Sequence, residues 1–223
     1  MSSMKRLIVF AMGLPVIAPC LAMAADPGGW VFAAKEGDRR VAFVEMTGSG
    51  PGGPCRATLV LTHRASAERA PVTKDGATTP PVIAEIWIAD SADAKGFDLD
   101  EYEGPDAPSG DAKLVTVTVS TKGKAWTRHW TCSGWYSPLE DPTSLTGDRG
   151  PDDPLAFVFG LSNAFKNHAE LVEMTDLLSA GADAFTIELA GKAKPATRLR
   201  FAIPLDGAAD AVEKLMKRDG SSH

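Results

Sequence analysis

The sequence predicts an α+β protein, predominantly antiparallel β, with two short helices in the C-terminal third. Three observations predict it. Lys113–Tyr136 holds a β-branched run, a turn signal and three of the chain's five tryptophans. Other short segments alternate apolar and polar side chains, the two-residue period of a half-buried strand. From Asp153 onward, apolar residues recur at helical spacing. A 44% hydrophobic share is ordinary for a globular chain, so composition does not point to disorder.

Residues 1–24 have the pattern of a secretory leader. Lys5 and Arg6 form a positive start, Leu7–Ala22 is apolar, and Ala22-Met23-Ala24 offers small residues for cleavage before Ala25. Pro15 and Pro19 interrupt the apolar run, which falls short of the roughly 20 residues a spanning helix needs. Cys20 follows Pro19, a poor setting for a lipid anchor. The expected product is a single periplasmic or secreted domain, residues 25–223, with no membrane span.

Loss of the leader removes Cys20 and leaves Cys55 and Cys132. Two cysteines in an oxidising compartment predict one disulfide. The chain-entropy model gives such a loop at most roughly 4–5 kcal/mol. Lys5 and Arg6 also depart, making the mature chain two charges more acidic than the formal −6. That balance argues against nucleic acid and anionic membrane surfaces as partners.

Along the mature chain, Trp30–Phe32 and Val41–Val44 read as a first hairpin, and Gly48–Pro54 (GSGPGGP) as a turn-rich linker. CRATLVLTH from Cys55 reads as a strand with Cys55, Ala57, Leu59 and Leu61 on its apolar side. Val82–Ala89 reads as another, with Val82, Ala84, Ile86 and Ile88 facing the core. Ala65–Pro81, Asp90–Gly110 and Ser137–Asp153 read as loops.

The central hairpin is expected to turn at Lys122-Gly123, pairing Val119 with Trp126, Val117 with Arg128 and Val115 with Trp130. Asp153-Pro154 looks like a helix start, followed by Leu155, Val158, Phe159, Ser162 and Phe165 on one stripe. Glu170–Thr175 and Ala184–Leu189 read as short strands. Leu199, Phe201, Ile203 and Leu205 alternate, and Pro204 assigns that strand to an edge. Asp206 is expected to cap a last helix running to Arg218.

The closing stretch, FAIPLDGAADAVEKL, resembles the ends of exported bacterial proteins of the invasion-associated locus B group. The resemblance covers about the last 70 residues, and with so loose a motif no functional residue is carried across.

Candidate chemistry is sparse. Asp98, Asp100, Glu101 and Glu103, with Asp106, crowd into FDLDEYEGPD, and clustered carboxylates could ligate calcium. EF-hand spacing fails, because Tyr102 and Glu103 stand where an oxygen ligand and glycine are needed. A solvated acidic loop is the plainer reading, so no cofactor is expected. Gly48, Gly50 and Gly53 match G-x-G-x-x-G, but a strand follows where a phosphate site needs a helix. His129 lies on the hairpin's polar face; with His63 and His168 it lacks the spacing of a zinc motif.

Trp126 and Trp130 face the valines as core residues, while Trp135 and Tyr136 follow Gly134 as candidate contact residues. The first functional reading is therefore a non-enzymatic module binding a protein, peptide or small ligand through Trp135, Tyr136 and its loops. A second is an envelope hydrolase using His129 with a carboxylate of the 90–110 loop. A third is a calcium-stabilised structural protein.

Overall fold

The computed structural model describes residues 29–34, 39–64, 82–104, 114–122, 126–138, 155–161, 168–181 and 184–217. The leader, the 65–81 loop and most of the 137–153 loop lie outside the described residues.

Among the described residues, ten strands join one antiparallel sheet. They are β1 (Val31–Ala34), β2 (Arg39–Gly50), β3 (Gly53–Arg64), β4 (Val82–Ile88), β5 (Val115–Thr121), β6 (Thr127–Cys132), β7 (Gly134–Pro138), β8 (Leu155–Gly160), β9 (Phe185–Gly191) and β10 (Arg198–Ile203). Among the described residues there are two helices, α1 (His168–Ser179) and α2 (Ala208–Met216), both in the C-terminal third; α2 lies where a helix was expected and α1 does not. The order across the sheet is β6-β5-β9-β10-β2-β3-β4-β8-β7, with β1 added beside the start of β2.

The first and last strands of that order are adjacent in sequence. Only Ser133 separates β6 from β7. Cys132 pairs with Val115 of β5, and Gly134 with Phe159 of β8. One extended segment thus serves both ends of the sheet, which curls into a half-barrel whose ends meet there.

Alternation explains the inside. Val44, Leu59, Ile86 and Phe159 are cross-strand neighbours and fully buried, as are Val117 and Leu189. On β4, Val82, Ala84, Ile86 and Ile88 are the buried set, as the alternation predicted. Leu171, Met174 and Leu178 of α1, and Ala211, Val212 and Leu215 of α2, join the same apolar cluster. Phe97 and Tyr102, stacked at 5.0 Å, enter it from the segment that carries two 3-10 turns, Ser91–Ala94 and Leu99–Tyr102. Gly191 admits the Tyr102 hydroxyl, since a β-carbon there would collide with it.

Several expected elements are corrected. Leu155–Gly160 is a strand, not a helix: Ala156, Phe157, Val158 and Phe159 are all buried, so both faces are covered and no alternation shows. The segment 170–175 belongs to α1, whose buried residues recur at Leu171, Met174 and Leu178. GSGPGGP is a tight hairpin rather than a linker, with Gly50 opposite Gly53 and only Pro51-Gly52 between. There Gly53 takes φ 118°, a left-handed conformation open to glycine. β10 is central, between β9 and β2, because Pro204 falls just past its end. α2 begins after Gly207, at φ 71°, so Asp206 does not cap it.

The central hairpin is displaced by two residues: Val119 faces Arg128, Val117 faces Trp130 and Val115 faces Cys132. An even slip keeps every side chain on its expected face, so the inward placement of Trp130 survives.

Candidate functional site

β7 brings the two expected contact aromatics to the surface, on opposite faces. Trp135 pairs with Val158 on the convex side, where Gly160 leaves room beneath its indole; a β-carbon there would touch the ring. Tyr136 faces inward at the rim, edge-on to Phe157 at 5.0 Å. Trp135 is 41% and Tyr136 37% exposed, and nearby Leu155 of β8 is 55% exposed. The described large apolar side chains that reach solvent thus gather on the β7–β8 pair.

The Tyr136 hydroxyl donates to Asp100 Oδ1 at 2.5 Å, from the turn Leu99–Tyr102. That bond, with partial burial and the charges of Asp100, Glu103 and Asp98, pushes the phenol up to about 12. The backbone N–H of Gly104 donates to the Gly134 carbonyl, and Ser133 Oγ donates to the Gly104 carbonyl at 3.1 Å. The acidic segment is therefore pinned along the first residues of β7.

On the convex face, the ladder continues from Trp135 through buried Val158 to Trp87, then to Thr58 and Glu45. Trp87 Nε1 donates to Glu85 Oε2 at 3.0 Å, and Glu85 lies opposite Gly160, the glycine under Trp135. Two strand steps of about 4.8 Å separate the indoles. They form a ledge with a fixed carboxylate between them. Beyond Trp87, a groove of about 200 Å³ is lined by Glu45, Thr58, Arg56 and Asp93, the last two ion-paired at 2.9 Å.

His129 is exposed on the convex face of β6, and its Nδ1 is hydrogen-bonded to Thr118 Oγ1 at 2.9 Å. Among the described residues no carboxylate lies within ion-pair distance of it. Asp100 is engaged by Tyr136 and Glu101 by Lys194. The neighbour of Thr118 on β9, Glu188, pairs with Arg198 at 3.0 Å. Asp98, Asp100, Glu101 and Glu103 do not converge: among the described residues no group of three or more His, Cys, Asp or Glu side chains is placed to hold a metal ion.

Cys55 and Cys132 are both buried, and the structure joins them by no disulfide, where one was expected. Both face inward, Cys55 from β3 and Cys132 from β6, and β2, β10, β9 and β5 lie between those strands along the sheet. Burial pushes the Cys55 thiol up, despite a hydrogen bond with the Arg200 backbone.

Trp126 and Trp130 are core residues, as expected, and their buried indole N–H groups find no hydrogen-bond partner among the described residues. Arg128 lies over the Trp126 ring at 5.2 Å and donates to Glu173 of α1 at 2.5 Å, joining β6 to the helix. Glu173 is held below its ordinary range by the nearby Trp126 N–H, which falls short of hydrogen-bonding geometry, and by Arg128.

The sequence reading did not connect Trp87 and Glu85 with Trp135. The outward alternation of Glu85 and Trp87 was visible, but only the β4-β8-β7 order brings them beside Trp135. Compared with known proteins, the chain matches no family model, no curated protein and no solved structure.

Proposed function

We propose that the mature chain is a periplasmic or secreted binding module that holds a protein, peptide or small ligand against the β7–β8–β4 ledge. The exposure of Trp135 beside Trp87, with the Glu85 carboxylate between, carries this reading. A large apolar ring fixed on a strand loses little freedom on binding and contributes stacking area. The carboxylate supplies orientation, since it is already held by an indole N–H. Supporting this, the sequence lacks a G-x-S-x-G nucleophile motif and a Walker phosphate loop, and His129 has a threonine rather than an acid at its side.

Native mass spectrometry of the chain purified from its own compartment tests the proposal, comparing wild type with Trp135→Ala and Trp87→Ala. The expected result is a bound species in wild type that both substitutions remove without changing melting temperature. An adduct retained at the same occupancy in both variants would overturn the ledge as its site.

A further inference from the structure

The groove beyond Trp87 has a charge pattern that stacking alone does not explain. Three neighbouring strands line it: Glu45 and Thr47 on β2, Arg56 and Thr58 on β3, and Trp87 on β4. Asp93, from the Ser91–Ala94 turn, lines it as well. Glu45 lies opposite Thr58, and Thr58 opposite Trp87, so these side chains form one row across the convex face.

The charges of this row do not balance. Arg56 is ion-paired with Asp93 at 2.9 Å. Glu45 is exposed, and among the described residues no basic side chain pairs with it. Across Thr58, the Trp87 indole is held by its bond to Glu85. A carboxylate and an indole both attract a cation. An anion would meet the Glu45 charge, and the arginine of the groove already has its partner. Size then narrows the kind of cation. About 200 Å³ is below the roughly 300–1,000 Å³ of a pocket that encloses a whole small ligand. It suits one side chain of a larger partner, and the convex face continues from Trp87 to the exposed Trp135 for the rest.

We propose that the groove takes a lysine or arginine side chain from a basic peptide segment, whose flanking residues lie on the Trp135 ledge. The basic head group sits between the Glu45 carboxylate and the Trp87 ring, and its apolar stem packs along the indole. A formal charge of −6 on the chain favours encounter with such a segment. This assignment rests on the binding role proposed for the ledge and adds the chemistry of its ligand.

The test is isothermal titration of the full chain in low-salt buffer with tetralysine and tetraarginine, and with their uncharged acetyllysine and citrulline counterparts. Saturable binding of a charged peptide but not of its counterpart is the expected result, weakened about tenfold or more in Glu45→Gln and in Trp87→Ala. Glu213→Gln removes the same charge from an exposed position on α2 and should leave binding unchanged. No saturable heat with either charged peptide, equal binding of the uncharged ones, or an equal loss in Glu45→Gln and Glu213→Gln would overturn the proposal. The ledge is judged separately. A native adduct that Trp135→Ala removes, but that neither charged peptide displaces, would keep the ledge as a binding site and overturn only its basic ligand.

Discussion

Cys132 completes the pairing of one end of the sheet and Gly134 begins the pairing of the other, with Ser133 alone between them. Cys132 lies opposite Val115 and Gly134 opposite Phe159, and Cys132, Val115 and Phe159 point into the same core. A β-carbon on Gly134 would enter the Phe157 ring and crowd the Val158 carbonyl. Gly134→Ala is therefore expected to destabilise the fold by about 1–3 kcal/mol, the usual cost of overpacking. Urea unfolding measures it, and an unchanged midpoint would show that the junction has slack.

Cys55 and Cys132 should be silent in the folded protein. Cys55 is 3% and Cys132 6% exposed. Neither should react with a thiol reagent until denaturant is added, after which both should. An intact mass two hydrogens lower without reductant would reveal a bridge and contradict this placement.

Neither tyrosine should ionise at its ordinary pH. Burial, then the Glu101 charge, raises Tyr102, and the Asp100 hydrogen bond raises Tyr136 to about 12. A folded pKa above the unfolded value near 10 means that the linked stability is fully present below pH 10. It is lost as pH rises through about 12. Tyr136→Phe should flatten that decline. Tyrosinate absorbance followed against pH checks it; a full step near pH 10 in the folded protein would refute the arrangement.

Exposure separates two ring side chains of different strands. Phe157→Ala should cost about 3–5 kcal/mol, because the ring is buried among Tyr136, Phe159 and Gly134. His129→Ala, at the surface with one threonine partner, should stay within about 0.5 kcal/mol. Melting curves of the two variants give the comparison, and a large loss at His129 would mean that its bond to Thr118 supports the β5–β6 pair.

Local alternation made most strands legible, because a half-buried strand writes its two faces into the sequence. It failed where both faces are covered. Leu155–Phe159 lost its alternation that way, and the Asp153-Pro154 pair then suggested a helix. In α1, Leu171, Met174 and Leu178 carry the helical period, but Glu170–Thr175 is too short a window to reveal it. Trp135 and Tyr136 could be found from their place after Gly134. Glu45 and Thr58, which line the groove, could have been found too. A two-residue turn at Pro51-Gly52 fixes the register, and counting back from Gly50 opposite Gly53 sets them face to face. Reading GSGPGGP as a linker discarded that count.

The place of β9 and β10 bears on when the chain can fold. This C-terminal hairpin joins β5 on one side and β2 on the other, so it bridges two sets of strands made earlier in the sequence. Without it, β2 and β5 would present bare edges, and no continuous sheet could run between them. Such long-range pairing delays completion until the last third of the polypeptide is available. Under the export proposed above, that delay would keep the polypeptide threadable until the strands that lock it have emerged.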